Sequence, residues 1–223
     1  MKMRFERQDP GHDRIATLDI ETTHYEPTKG EIVSIGVGVH NRGEPGQSVT
    51  FDTFHRDGDG EATTIQRAVH KLSDYEADGL VTYNGKNFDL EFISGRLDQL
   101  GKTIEPPEIV TEADKHIDLY VERERRANRE NIKWPSLEEC LDSYGFPCPV
   151  TKWNGEVITN SRFGEEIGPE YLGTLQENAQ SPSALQEAID HYLTTDLEAN
   201  IALYYADIGE SYSPCLLGTE NQF

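Results

Sequence analysis

Lysine is scarce in this chain. There are 8 lysines and 12 arginines against 41 acidic residues, for a net charge of −21 over 223 residues. Such a balance excludes the broad basic face with which most phosphate-binding surfaces are built. Cysteine is nearly absent as well: only Cys140, Cys148 and Cys215, with no Cys-x-x-Cys pair. An odd count at that spacing argues against a disulfide framework and against thiolate zinc sites, and leaves inert thiols. Apolar residues make up 35% and never run on for the roughly 20 residues that a bilayer-spanning helix needs. The segment Met1 to Pro10 is charged and has no apolar signal stretch, so the expectation is a soluble, cytoplasmic protein.

What is present is a hydrophobic pattern that changes period along the chain. Residues 14–22, 31–39 and 48–54 read as three strands joined by short turn-rich connectors, which predicts an antiparallel meander. From residue 61 the spacing turns helical: Ile65, Val69, Leu72 and Tyr75, then Phe88, Phe92, Leu97 and Leu100, with Gly101 as a stop. Two short apolar segments, Leu80 to Tyr83 and His116 to Leu119, separate these stretches as strands. Residues 121–133 are charged and read as irregular. Ser136 with Glu139 reads as a capping box opening a helix that ends near Gly145. Residues 146–180 show no readable period. Leu185, Ile189, Leu193, Leu197 and Ile201 predict one long helix over about 183–207, with Pro182 near its start. The resulting expectation is an α/β fold: a mixed sheet of one meander plus parallel strands, flanked by helices. It forms a single domain over 14–207, with tails at 1–13 and 208–223.

Carboxylates stand at three places in this frame. In Leu18-Asp19-Ile20-Glu21-Thr22, residues i and i+2 of a strand share a face, so Asp19 and Glu21 point the same way. Acids fill 41 of 223 positions, so such a triplet also arises by chance. Its place at the end of an apolar strand is what raises it, because α/β sheets bind ligands at strand ends. In Tyr83-Asn84-Gly85-Lys86-Asn87-Phe88-Asp89, a buried strand turns into a helix and sets Asp89 in its first turn, where the helix dipole also favours an acid. In the long helix, Tyr192 and Asp196 are four apart, about 40° around the axis, and share a face.

In order and spacing these motifs resemble the DEDD superfamily of 3′–5′ exonucleases, which have a ribonuclease H-like fold. The forms Tyr-Asn-Gly-x-x-Phe-Asp and Tyr-x3-Asp resemble the exonuclease domain of B-family DNA polymerases, over about residues 14–206. The resemblance implies Asp19, Glu21, Asp89 and Asp196 as ligands of two Mg²⁺ or Mn²⁺ ions. Asp19 would be shared by both ions, Glu21 and Asp196 would sit by the water-activating ion, and Asp89 would act through water. It implies Tyr192 as the residue that orients the attacking water. A sister subgroup uses a histidine five residues before the last aspartate, where His191 stands. Helical phase puts His191 about 140° from Asp196, which favours Tyr192 and leaves His191 as an exposed neighbour. Asp118, in a His-Ile-Asp-Leu segment, is a further candidate, as a support for the following loop. The implied substrate is a single-stranded DNA or RNA 3′ end. The rival expectation is a catalytically silent binding module of the same fold.

Asn84, Lys86 and Phe88, around the second motif, are candidate substrate contacts. The one basic cluster, Arg123, Arg125, Arg126, Arg129 and Lys133, with Trp134 beside it, could track a strand and stack a base, or could be a solvated helix of paired charges. The dense acidic coat resembles proteins of organisms that hold molar salt, where a Debye length of about 3 Å makes self-repulsion cheap. The competing reading is an acidic surface that meets a basic partner.

Overall fold

The computed structural model describes residues 3–176 and 183–223. Its centre is a five-stranded sheet. Strands β1 (Arg14–Thr22), β2 (Ile32–Asn41) and β3 (Thr50–His55) form the expected meander. After α1 (Glu61–Asp74), strand β4 (Gly79–Thr82) pairs parallel to β1; after α2 (Asp89–Leu100) and the short α3 (Glu108–Thr111), β5 (His116–Asp118) pairs parallel to β4. The strand order is β3-β2-β1-β4-β5.

Then come α4 (Leu119–Glu130), α5 (Leu137–Tyr144), the hairpin β6 (Val150–Trp153) and β7 (Glu156–Val157), and the one-turn α6 (Asn160–Arg162). A π-helical turn, Phe163–Ile167, runs on into α7 (Gly168–Gln176). Helix α8 (Ser183–Ile208) is 26 residues, about 39 Å long. Strand β8 (Glu220–Gln222) closes a second sheet of order β7-β6-β8.

The sheet is covered on both faces, which is why nine of the ten residues of β2 are buried. On β1, Ala16, Leu18 and Ile20 pack with Ile65, Leu72 and Phe92 of α1 and α2. The alternate residues face the other way, where Ile15 packs with Ala199, Ile201 and Leu203 of α8. Thr17 shares that face and accepts a hydrogen bond from Asn200 at 3.3 Å. Gly36 lies opposite Asp19 in the β1–β2 register. A Cβ on Gly36 would come within 2.8 Å of Leu193 Cγ and Leu197 Cδ1, so the missing side chain is what lets α8 lie close to the sheet.

Three expectations need correction. Residues 121–133 are not irregular: α4 spans most of them, capped by the Asp118 side chain. The apolar period was invisible because the inward positions are Leu119, Arg123 and Ala127, and Arg123 is buried through a 2.6 Å ion pair with Asp207. The two tails are docked. Arg7 N–H donates to Asp207 O at 2.8 Å, and Phe5 N–H donates to Tyr144 Oη at 2.9 Å. At the other end β8 pairs with β6, and the buried Glu198 carboxylate accepts the N–H groups of Cys215, Leu216 and Leu217. The capping box of Ser136 and Glu139 and the left-handed stops at Gly101 and Gly145 are present as expected. Pro182 lies outside the described residues.

Candidate active site

The register of β1 opens the site. Strand β4 pairs with β1 only from Ile15 to Thr17, so beyond Thr17 that edge of β1 has no described strand beside it. Asp89, delivered by the first turn of α2, fills part of the gap: its Oδ1 accepts the Ile20 N–H at 3.1 Å. Asp19 and Glu21 project from the α8 side of β1, and Asp196 meets them from α8. One carboxylate oxygen from each of Asp19, Glu21 and Asp196 lies within 4.8 Å of the others. All four acids of the three motifs are thus gathered, three of them converging and Asp89 alongside.

Electrostatics makes this cluster unstable on its own. Burial pushes the Asp19 carboxyl well above its usual range, and Asp89, Asp196 and Glu21 push it further. Glu21 is raised well above its usual value by burial and then by Asp196 and Asp89. Burial raises Asp89 to about 7. Asp196 is raised to about 8 by burial, then by Glu138 and Asp89. Like charges held this close must either keep protons or take a cation between them. The donor set is all carboxylate oxygen, with Glu21 buried and Asp19 and Asp196 half-buried. It fits hard octahedral cations such as Mg²⁺ or Mn²⁺, which keep several waters, and does not suit thiophilic metals.

A pH effect follows. A carboxyl whose folded pKa exceeds its unfolded value of ~4 stabilises the fold fully below that value and loses the contribution as pH rises through the folded pKa. The metal-free protein should therefore lose melting temperature from about pH 4 up to about pH 8, the window set by Asp89 and Asp196. The gain on adding Mg²⁺ should be larger at pH 8 than at pH 5. Thermal melts in EDTA and in MgCl₂ measure both, and an EDTA melting temperature that rises over this range contradicts the account.

Tyr192 stands beside the cluster. Burial, then Glu21, Asp196 and Asp19, push its phenol well above the ordinary value, so it is a neutral hydroxyl at any working pH. Its ring stacks on Phe163 at 5.9 Å between centroids, and its hydroxyl donates to Asn160 Oδ1 at 2.5 Å. His191 is not the exposed neighbour expected from helical phase. It is buried, with Nδ1 at 2.7 Å from Thr151 Oγ1 and Nε2 at 2.9 Å from Thr219 Oγ1. The second sheet, which had no readable signal in the sequence, is what covers it.

Asp118 does not join the carboxylates. It accepts the N–H groups of Asn84, Lys86 and Tyr120, each at 2.9 Å, and so ties the second-motif loop to the start of α4. Within that loop Asn84 takes a left-handed φ of 66°, and a Cβ on Gly85 would fall 2.4 Å from Thr82 Oγ1. Both residues are spent on the turn that aims Asp89. Phe88 is half-buried and packs on Phe92 at 5.8 Å, and Lys86 is half-buried.

The basic cluster is largely consumed by pairing. Arg123 is buried against Asp207; Arg125 meets Glu122, Arg126 meets Glu130 and Lys133 meets Glu139. Trp134 is 53% exposed, with its indole N–H on Asn128. A cleft of about 690 Å³ opens next to Asp196 and Tyr192, walled by Lys133, Glu138, Ile158 and Asn160. Asn160 and Phe163 are site residues that sequence reasoning missed.

A five-stranded mixed sheet with carboxylates at the end of its central strand and a long helix completing the set defines a ribonuclease H-like, nuclease-like architecture. The family model RNase_H_2 of the RNase_H superfamily matches residues 16–148, more than half of the chain, and the chain belongs to that superfamily. A DNA polymerase of Thermococcus aggregans is 32% identical over 95 residues, covering 41% of this chain and 5% of the polymerase. The structure of the family B DNA polymerase from the hyperthermophilic archaeon Pyrobaculum calidifontis superposes with a TM-score of 0.57 at 17% identity, covering 89% of this chain and 25% of that one. The chain therefore spans only a small part of the length of either polymerase. The family match ends at residue 148, so the places of Tyr192 and Asp196 rest on geometry. No helix among the described residues is long and apolar enough to cross a membrane.

Proposed function

We propose that this protein is a two-metal-ion 3′–5′ exonuclease that releases nucleoside monophosphates from single-stranded 3′ ends. The observation that carries the reading is the convergence of Asp19, Glu21 and Asp196 within 4.8 Å at an open strand edge. Asp89 and Tyr192 flank that cluster. Mg²⁺ or Mn²⁺ bound there would supply Lewis acidity toward the scissile phosphate and the attacking water. Asp19 is the residue that two ions would share, as the resemblance to the DEDD exonucleases implies. Asp89 holds the strand edge through Ile20 and closes the site from the α2 side. Tyr192 stays protonated, so it orients a water and does not deprotonate it. The cleft beside Asp196 receives the terminal nucleotides, with Lys86 and Phe88 as further contacts on the opposite side. Among the described residues of the cleft wall Lys133 is the one cation, and it is paired with Glu139, so terminal nucleotides would be held by the site itself and by short-range contacts.

Single-stranded DNA and RNA oligonucleotides labelled at the 5′ end test this. In Mg²⁺ or Mn²⁺ each accepted substrate should shorten stepwise from its 3′ end, with mononucleotides as product. Intact substrate with both cations and both nucleic acids would overturn the proposal and favour a silent binding module.

Tyr192→Phe should lower the rate roughly 10–100-fold, the usual scale for losing orientation of one reactant. His191→Ala should keep the rate per folded molecule but lower stability by about 1–3 kcal/mol, because it strands two threonine hydroxyls. Comparing turnover and melting temperature for the pair separates the two residues. A larger rate loss in His191→Ala would reassign the water-orienting role.

A further inference from the structure

A tyrosine hydroxyl has one proton and two lone pairs. Where its proton goes decides what else the oxygen can do. At Tyr192 the carboxylates of Glu21, Asp196 and Asp19 are close enough to act on the phenol, and each is an acceptor. Instead the hydroxyl donates to Asn160 Oδ1 at 2.5 Å. Asn160 is itself held in place from behind. It opens α6, where Thr159 Oγ1 accepts the Arg162 N–H at 3.3 Å, and the Arg162 guanidinium bonds Glu156 O at 2.7 Å and Trp153 O at 3.2 Å. The β6–β7 hairpin thus fixes the turn that carries Asn160, and the stack of Phe163 on the Tyr192 ring fixes the phenol from the same turn.

We infer that Asn160 is a positioning residue: by taking the Tyr192 hydroxyl proton it turns the oxygen's lone pairs toward the attacking water and leaves the carboxylate lone pairs to the cations. This rests on the exonuclease reading. With Asn160 removed, the phenol would donate to Glu21 or Asp196 instead. It would then occupy a ligand site and no longer face the water as an acceptor. Asn160 acts only through Tyr192.

The test compares wild type, Asn160→Ala, Asn160→Asp, Tyr192→Phe and the double variant Asn160→Ala/Tyr192→Phe in steady-state turnover, together with Mn²⁺ titration by calorimetry. Asn160→Ala should lower kcat about tenfold with KM within about twofold. Asn160→Asp, which keeps an acceptor oxygen at the same reach, should recover most of that loss. The double variant should be no slower than Tyr192→Phe, the pattern expected when one residue works through another. Asn160→Ala should also weaken Mn²⁺ binding, and should do so only when Tyr192 keeps its hydroxyl. An unchanged kcat in Asn160→Ala, or an equal loss from Asn160→Ala with and without the Tyr192→Phe change, overturns the inference. Wild type that releases no nucleotide would instead sink the exonuclease reading. The Mn²⁺ titration then still decides where the hydroxyl proton goes.

Discussion

Asp19→Asn and Asp196→Asn should each abolish nucleotide release, by roughly a thousandfold or more, while raising the melting temperature of the metal-free protein. The rate loss follows from what the carboxylates do in the proposed reaction. A bound divalent cation contributes several kcal/mol of charge stabilisation, and every 1.36 kcal/mol is a factor of about ten. Taking one of three convergent oxygens from the set should forfeit most of that. The stability gain follows from the same crowding. Asp19 is raised well above its ordinary range and Asp196 to about 8, each by burial first and then by neighbouring acids. A neutral amide of the same shape removes the repulsion and keeps the packing. Activity and stability should therefore move in opposite directions at pH 8 without metal. Cleavage at near wild-type rate by either variant would sink the catalytic assignment. A lower melting temperature in EDTA would show that the acids support the fold and are not held there for a cation.

Asp207→Ala should be the most damaging single change away from the site, costing about 3–5 kcal/mol, the usual range for stranding a buried charge. Arg123 donates to Asp207 through both terminal nitrogens, at 2.9 and 2.6 Å, and Tyr144 Oη donates to it at 2.8 Å. Arg7 lies within the same field: burial lowers its pKa, Asp207 raises it and Arg123 lowers it. Deleting the aspartate takes from Arg123 its ion-pair partner and from Arg7 the anion that acts on it most strongly. Arg123→Met should cost less, because Asp207 keeps the Tyr144 hydroxyl and the field of the Arg7 charge. Urea unfolding of the two variants checks the ranking, and equal losses would contradict it.

Much of this fold was legible because its elements announce themselves through period. The strands around Leu18, Val37 and Val81 alternate or run apolar, and α8 repeats its leucines and isoleucines. The carboxylates were legible because each sits within a few residues of a strand or helix end or on one face of the long helix. Other parts were hidden for physical reasons. Helix α4 turns an arginine inward, neutralised by an aspartate 84 residues away, so no apolar stripe marks it. Strand β8 is exposed at all three residues and exists through its pairing with β6. Residues 146–176 form a hairpin, one helical turn, a π turn and a nine-residue helix, mostly too short for a period to show. Asn160 reaches Tyr192 across 32 residues by a single hydrogen bond, which leaves no trace in the sequence.

Gly36 carries no functional group, yet it governs the bore of the site. It sits across from Asp19 on β2 and sets how near Leu193 and Leu197 bring α8 to the sheet. Asp19 and Glu21 ride on the sheet and Asp196 rides on the helix, so that standoff is also the gap their oxygens span. Magnesium–oxygen bonds are about 2.0–2.1 Å and calcium–oxygen bonds about 2.3–2.6 Å. A methyl group at Gly36 would press on both leucines, so either their side chains or α8 must shift. A cation held by these acids would thus feel Gly36, a residue of a strand that carries no ligand, through the spacing of helix and sheet.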